Sequence, residues 1–187
     1  MQFISQKIPD VILIVPKIHG DDRGYFMESY RKDLLEDFLN KKINFTQDNE
    51  SKSSLGVLRG LHYQLPPFAQ SKLVRVISGR VLDVVVDIRK NSPTYGNHLC
   101  IELSSENQSQ LFIPKGFAHG FIVLSNEAIF SYKVDKQYEP IYERGIAFDD
   151  KYLKIDWILS RDIIQISKKD ILLPKFSELS SPFEYLS

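Results

Sequence analysis

The chain has 187 residues, 43% of them hydrophobic, and its 24 basic side chains balance 24 acidic ones. That length predicts one domain over residues 1–187 with enough chain for a sizeable core. Zero net charge excludes a global field that would draw the chain to nucleic acid or an anionic membrane, so affinity for phosphate must come from local Arg and Lys.

The first apolar run is Val11-Ile12-Leu13-Ile14-Val15, bounded by Pro9, Asp10 and Pro16. It is too short for a signal core or a membrane helix, and no basic segment precedes it, so a buried strand is expected. The single Cys100 cannot form an internal disulfide, which fits a reducing compartment, and the cytoplasm is expected. Residues 21–29 (DDRGYFMES) read as a charged turn followed by an aromatic strand. Within 31–42, Leu34, Leu35, Phe38 and Leu39 share one face at helical spacing and predict a helix. Period-two or short apolar runs then predict strands over 72–77, 81–88, 99–103, 110–113, 120–123 and 128–134. Gly79-Arg80 is expected to join the first two as a tight hairpin, because Gly accepts positive φ there. In 81–89 the even positions Leu82, Val84, Val86 and Ile88 form an apolar face, while Asp83, Val85, Asp87 and Arg89 form a mixed one. One apolar and one mixed face suit a ligand-holding barrel or sandwich. After Pro140 the pattern loosens. Short helices are expected near 149–153 and 160–164, giving a short helical C-terminal segment from about residue 149. Many short, closely spaced strands predict an all-β barrel or sandwich with a few short peripheral helices.

Two segments about fifty residues apart carry the chemistry. They are GVLRGLHYQ over 56–64 and IPKGFAHG over 113–120. Gly56 and His62 fit the spacing G-x5-H, and Pro114, Gly116 and His119 fit P-x-G-x-x-H. Together they resemble the two half-motifs of the cupin jelly-roll barrel. That motif continues with a second His and a Glu, where this chain has Gln64 and Phe68 or Ala69. Two of four metal ligands are therefore missing, and two imidazoles are too few to hold a cation tightly in water. A barrel without a metal, working by side-chain acid–base chemistry, is expected.

His62 is a candidate base, since imidazole exchanges protons near neutral pH; it could equally be a core histidine or a remnant of the metal site. A base of this kind needs a carboxylate to fix its tautomer. Asp170 is a distant possibility that sequence alone would not select. Lys72 opens a strand and could hold an oxyanion, or be an exposed strand-end lysine. Tyr132 could donate a proton from a barrel wall, or pack a loop at the rim. Arg23 could fork onto a phosphate, or sit in a solvated hairpin. Gln47-Asp48-Asn49 could bind sugar or base, or simply turn. Glu143-Arg144 could be no more than a surface ion pair.

Taken together, the segments PKIHGDDRGYFMES (16–29), FTQDNESKSSLGVLRGLHYQ (45–64), KLVRVISGRVLDVVVDIRKNSP (72–93) and QLFIPKGFAHGFIVL (110–124), with 130–133 and 155–157, resemble the dTDP-4-dehydrorhamnose 3,5-epimerases. The resemblance runs from about residue 8 to 173. It implies conversion of dTDP-4-dehydro-6-deoxy-D-glucose to dTDP-4-dehydro-L-rhamnose, with no cofactor and no metal. It implies His62 as base, Asp170 as its orienting carboxylate, Tyr132 as proton donor and Lys72 beside the C4 oxygen. It implies substrate contacts from Arg23, Glu28, Gln47, Asp48, Asn49, Arg59, His119, Glu143 and Lys168. Tyr138 is implied to stack on the thymine, with Phe26 assisting. The family's homodimer implies that Arg23, Phe26 and Glu28 serve the neighbouring subunit. One departure is Glu50, where the family often has His; it is expected to place an anion near the nucleotide. The competing readings are a C3-only or C5-only epimerase, a non-catalytic sugar-nucleotide-binding barrel, and a metal-dependent cupin dioxygenase.

Overall fold

Strand-forming runs with apolar side chains on one or both faces build two facing sheets; the computed structural model describes residues 1–185. In chain order the strands are β1 (Gln2–Ser5), β2 (Ile12–Val15), β3 (Ile18–Asp21) and β4 (Gly24–Met27), followed by helix α1 (Lys32–Leu39). Next come β5 (Gln47–Ser54), β6 (Val57–Gln64), β7 (Lys72–Ser78), β8 (Arg80–Asp87), β9 (His98–Ser104) and β10 (Gln110–Ile113). The series closes with β11 (Phe117–Val123), β12 (Glu127–Val134), β13 (Glu143–Gly145), β14 (Gln165–Ile166) and helix α2 (Lys168–Ile171). One sheet runs β1-β2-β10-β7-β12-β5. The other runs β13-β6-β11-β8-β9, with β14 added parallel to β6. β3 and β4 form a separate hairpin. The expected all-β jelly-roll class is therefore what the chain adopts, and no helix among the described residues is long and apolar enough to cross a membrane.

The core lies between the sheets. Val74, Val76, Leu111 and Phe130 of the first sheet pack on Val81, Val85, Leu103 and Phe121 of the second. The outer faces are covered differently. Helix α1 sets Leu35 on Ile12, Ile14, Leu73 and Phe112. The C-terminal segment lays Phe148, Leu153, Trp157 and Phe176 over Leu82, Val84, Val86 and Ile88, the apolar face expected of β8. The mixed face of β8 looks inward, so Asp83 and Val85 are both fully buried.

Three expectations need correction. Residues 78–80 do not close a hairpin: β7 pairs with β10 and β12, whereas β8 pairs with β11 and β9. Gly79, at φ +81°, turns the chain from one sheet to the other, which lets the valines of β7 and β8 meet across the core. The helix expected over 31–42 stops at Leu39, because Asn40 takes the left-handed conformation that ends helices. The helices expected at 149–153 and 160–164 are turns. Asp150 takes the backbone N–H groups of Tyr152, Leu153 and Phe176 on its carboxylate, a local alternative to helical bonding. The helical residues of this segment fall later, in α2 and in a single 3-10 turn at Phe176–Glu178.

Candidate active site

A cleft of about 530 Å³ opens between the sheets and is lined by Arg59, His62, Lys72, His119, Tyr132, Lys169 and Asp170 among others. A second lobe of about 300 Å³ is lined by Gln47, Asn49, Gln64, Tyr138 and Glu143. His62, Lys72 and Tyr132 line both lobes, so they stand where the two meet. They reach that junction from facing walls. His62 and His119 project from β6 and β11 of one sheet, Lys72 and Tyr132 from β7 and β12 of the other.

His62 and His119 are register partners across β6 and β11. That approach depends on Gly60 and Gly120: a Cβ on Gly120 would lie 2.6 Å from the Arg59 carbonyl, and one on Gly60 would lie 2.5 Å from Gly120 Cα. Each histidine is held by a carboxylate. His62 Nε2 lies 2.8 Å from Asp170 Oδ1, and His119 Nε2 lies 2.8 Å from Asp83 Oδ2. Asp170 reaches His62 because Ser167 Oγ accepts its backbone N–H at 3.0 Å, which starts α2 beside β6. Burial pushes the Asp170 carboxyl up, but the hydrogen bond to His62, helped by those to Gly60 and Ser167, outweighs it and holds Asp170 below the usual carboxylate range. An ionised Asp170 only accepts, so His62 carries its proton on Nε2 and leaves Nδ1 free as a base.

Lys72 is partly buried in the cleft wall, and desolvation lowers its pKa from 10.5 to about 8 although Asp83 and Glu143 favour its charge. It therefore stays a cation at neutral pH but holds its proton loosely. Burial raises the Tyr132 phenol, with Arg59 opposing, so Tyr132 keeps its proton near neutrality. Tyr138 donates its hydroxyl to Glu143 Oε2 at 2.8 Å, and Glu143 also pairs with Lys169. Burial raises the Glu143 carboxyl, but the hydrogen bonds from Lys169 and Tyr138 bring it below the usual range. The loop bearing Tyr138 is fixed by Gln64, which donates to the Phe68 and Gln137 carbonyls and accepts from Glu139 N. Gln47 accepts from Tyr138 N and donates to Asn49.

The structure thus gathers His62, Lys72, Tyr132, Asp170, His119, Arg59, Gln47, Asn49, Tyr138 and Glu143 at one cleft. Others named by the resemblance stand apart from it. Asp48 points to the other face of β5 and pairs with Lys133 at 2.9 Å. Lys168 is exposed, and its neighbour Lys169 lines the cleft instead. Arg23 and Phe26 sit on the exposed β3–β4 hairpin, where Arg23 pairs with Asp21 at 2.5 Å; Glu28, just beyond, pairs with Arg31. Glu50 alternates away from Asn49 and Ser51 and is exposed, so it does not put an anion against the cleft. Sequence reasoning missed Asp83 and Lys169. The signal for Asp83 was present: a carboxylate inside the run Val81–Val86 is stable only if paired.

A jelly-roll barrel that sets a histidine–carboxylate pair opposite a lysine and a tyrosine defines a cupin-like carbohydrate epimerase. The chain matches, over residues 5–178, the family model described as dTDP-4-dehydrorhamnose 3,5-epimerase, and it belongs to that family. It is 52% identical over 176 residues to the dTDP-4-dehydrorhamnose 3,5-epimerase of Shigella flexneri, covering 94% of this chain and 96% of that one. The crystal structure of dTDP-6-deoxy-D-glucose-3,5-epimerase from Legionella pneumophila, in complex with dTDP-4-keto-L-rhamnose, superposes with a TM-score of 0.95 at 44% identity, covering 100% and 99% of the two chains. The 3'-monoepimerase ChmJ from Streptomyces bikiniensis, in complex with dTDP-quinovose, matches with a TM-score of 0.85 at 29% identity, covering 92% and 86%.

Proposed function

We propose that the chain converts dTDP-4-dehydro-6-deoxy-D-glucose to dTDP-4-dehydro-L-rhamnose by inverting C3 and C5. The observation that carries this reading is the cleft junction, where His62, backed by Asp170 at 2.8 Å, faces Lys72 and Tyr132. The C4 ketone acidifies both neighbouring carbons. His62 Nδ1 removes the C–H proton, and the electron pair passes through the new C=C bond onto the C4 oxygen. Lys72 stabilises that enolate, a contribution of about 3–4 kcal/mol by comparison with one oxyanion-hole donor. Tyr132 returns a proton to the opposite face of the carbon, which inverts it. His62 then releases its proton to solvent, Tyr132 takes one back, and the sequence repeats at the second carbon.

Arg59 and Lys169 supply cations for the diphosphate, and Tyr138, half exposed on its Glu143 anchor, supplies a face for the thymine. Binding energy from the nucleotide holds the sugar at the junction, remote from the reacting atoms. The β3–β4 hairpin suits a homodimer in which Arg23 and Phe26 complete the partner's cleft. Both side chains are exposed and neither lines its own chain's cleft, which supports that arrangement.

The test is proton NMR of the substrate with purified protein in deuterium oxide. Exchange at both C3 and C5, with an NADPH-dependent product once a rhamnose-forming reductase is added, is expected. Exchange at one carbon only would replace the reading with a mono-epimerase. Binding without exchange would overturn the catalytic reading.

A further inference from the structure

Ser53 has no part in the roles assigned above. It sits near the end of β5, buried at 7% exposure. Its register partner on β12 is Ala128, whose methyl offers the hydroxyl no bond. A buried hydroxyl is costly unless it is bonded, and this one has a single side-chain partner among the described residues. That partner is Arg59 of β6, whose Nε donates to Ser53 Oγ at 3.1 Å.

The bond spans a corner of the fold. Leu55 and Gly56 carry the chain from β5 in one sheet to β6 in the other. Backbone hydrogen bonds to Asn126, Val123 and Gln165 tie that corner down. Ser53 therefore stands on a fixed support, while Arg59 is an exposed side chain with several rotatable bonds, on the wall of the cleft that also bears His62. A single tie at Nε removes much of that freedom.

The choice of tie matters chemically. Neither Nη of Arg59 makes a hydrogen bond among the described residues. With Nε engaged, the edge formed by the two Nη atoms is left to fork onto two oxygens of one phosphate. A carboxylate in place of the serine would orient the guanidinium equally well but would neutralise it. A neutral hydroxyl orients the cation and leaves its charge for the ligand. The carboxylates of the cleft pair elsewhere, Asp170 with His62 and Glu143 with Lys169.

We infer that Ser53 is a positioning residue for the diphosphate, holding Arg59 by Nε so that its Nη edge meets the phosphate oxygens with its charge intact. The inference rests on the nucleotide-sugar reading above and deepens it.

The test measures dTDP and thymidine binding by isothermal titration in wild type, Ser53→Ala, Ser53→Thr, Arg59→Ala and the Ser53→Ala/Arg59→Ala double variant, all checked by thermal unfolding. In Ser53→Ala, dTDP affinity should fall about tenfold, while affinity for thymidine, which has no phosphate, stays within twofold of wild type. Ser53→Thr keeps the hydroxyl and should recover dTDP affinity to within threefold of wild type. In the Arg59→Ala background, loss of the serine should cost nothing further, because it acts through the arginine. The inference is overturned by dTDP affinity within twofold of wild type in Ser53→Ala, by an equal loss for thymidine, or by the same loss with and without Arg59. Should Ser53→Ala not fold, Ser53→Cys, similar in shape but a weaker acceptor, takes its place. If neither folds, the serine is structural and the inference fails. Absence of dTDP binding by wild type itself would instead overturn the nucleotide-sugar reading.

Discussion

Replacing Lys72 by methionine should stabilise the chain while nearly abolishing turnover. Methionine keeps the unbranched, flexible shape of the lysine stem and removes the charge. In the folded chain, burial lowers the lysine from 10.5 to about 8. That gap corresponds to ~3 kcal/mol of destabilisation by the buried cation, an upper figure because the cleft admits water. The sign is fixed by proton counting. Below pH 8 the folded and unfolded chains both hold the proton, and the full cost of burial is present. Between 8 and 10.5 the unfolded chain holds more protons, so wild-type stability rises with pH and the advantage of methionine fades. Thermal unfolding at pH 7 should therefore place Lys72→Met roughly 5–10 °C above wild type. By pH 10 the two should nearly coincide. Turnover should fall by about 10²–10³, the effect of deleting one oxyanion donor. A variant less stable than wild type at pH 7, or one within tenfold of wild-type turnover, would refute the reasoning.

Tyr132→Phe separates proton removal from proton return. Exchange at C3 and C5 should persist with the original configuration, and inverted product should drop at least 10²-fold; NMR in deuterium oxide distinguishes the two. Asp170→Asn leaves His62 in place but no longer fixes the tautomer that frees Nδ1, so kcat should fall by about 10²–10⁴ while dTDP still binds. Isothermal titration alongside initial rates would expose the opposite pattern, lost binding with retained kcat. Gly120→Ala brings a methyl to 2.6 Å from the Arg59 carbonyl and should destabilise the fold by about 1–3 kcal/mol, measured by urea unfolding.

The residues easiest to read from sequence were those whose positions follow from strand alternation. His62, Lys72 and Tyr132 each stand on the inward face of a strand predicted or bracketed by its motif, and the two sheets bring them together. Asp170 was legible only through resemblance, because 108 residues separate it from His62 and the contact depends on where α2 docks. The corner at Gly79 was misread for a related reason. A glycine at positive φ between two apolar strands looks the same whether the strands pair or part, and the choice is made by β10, β11 and β12 competing for their edges. The C-terminal turns escaped because Asp150 collects backbone donors from residues as far away as Phe176, which no local window registers. Asp83 is visible in the sequence as a charge in a valine run, but its pairing depends on the position of His119.

The central claim is that one histidine starts the reaction at both carbons. The most direct measurement is deuterium incorporation into dTDP-4-dehydro-6-deoxy-D-glucose, counted separately at C3 and C5, by wild type and by His62→Ala matched for thermal unfolding and dTDP binding. The account predicts exchange at both carbons with wild type and at neither with the variant. Near-wild-type exchange at either carbon in His62→Ala would contradict it.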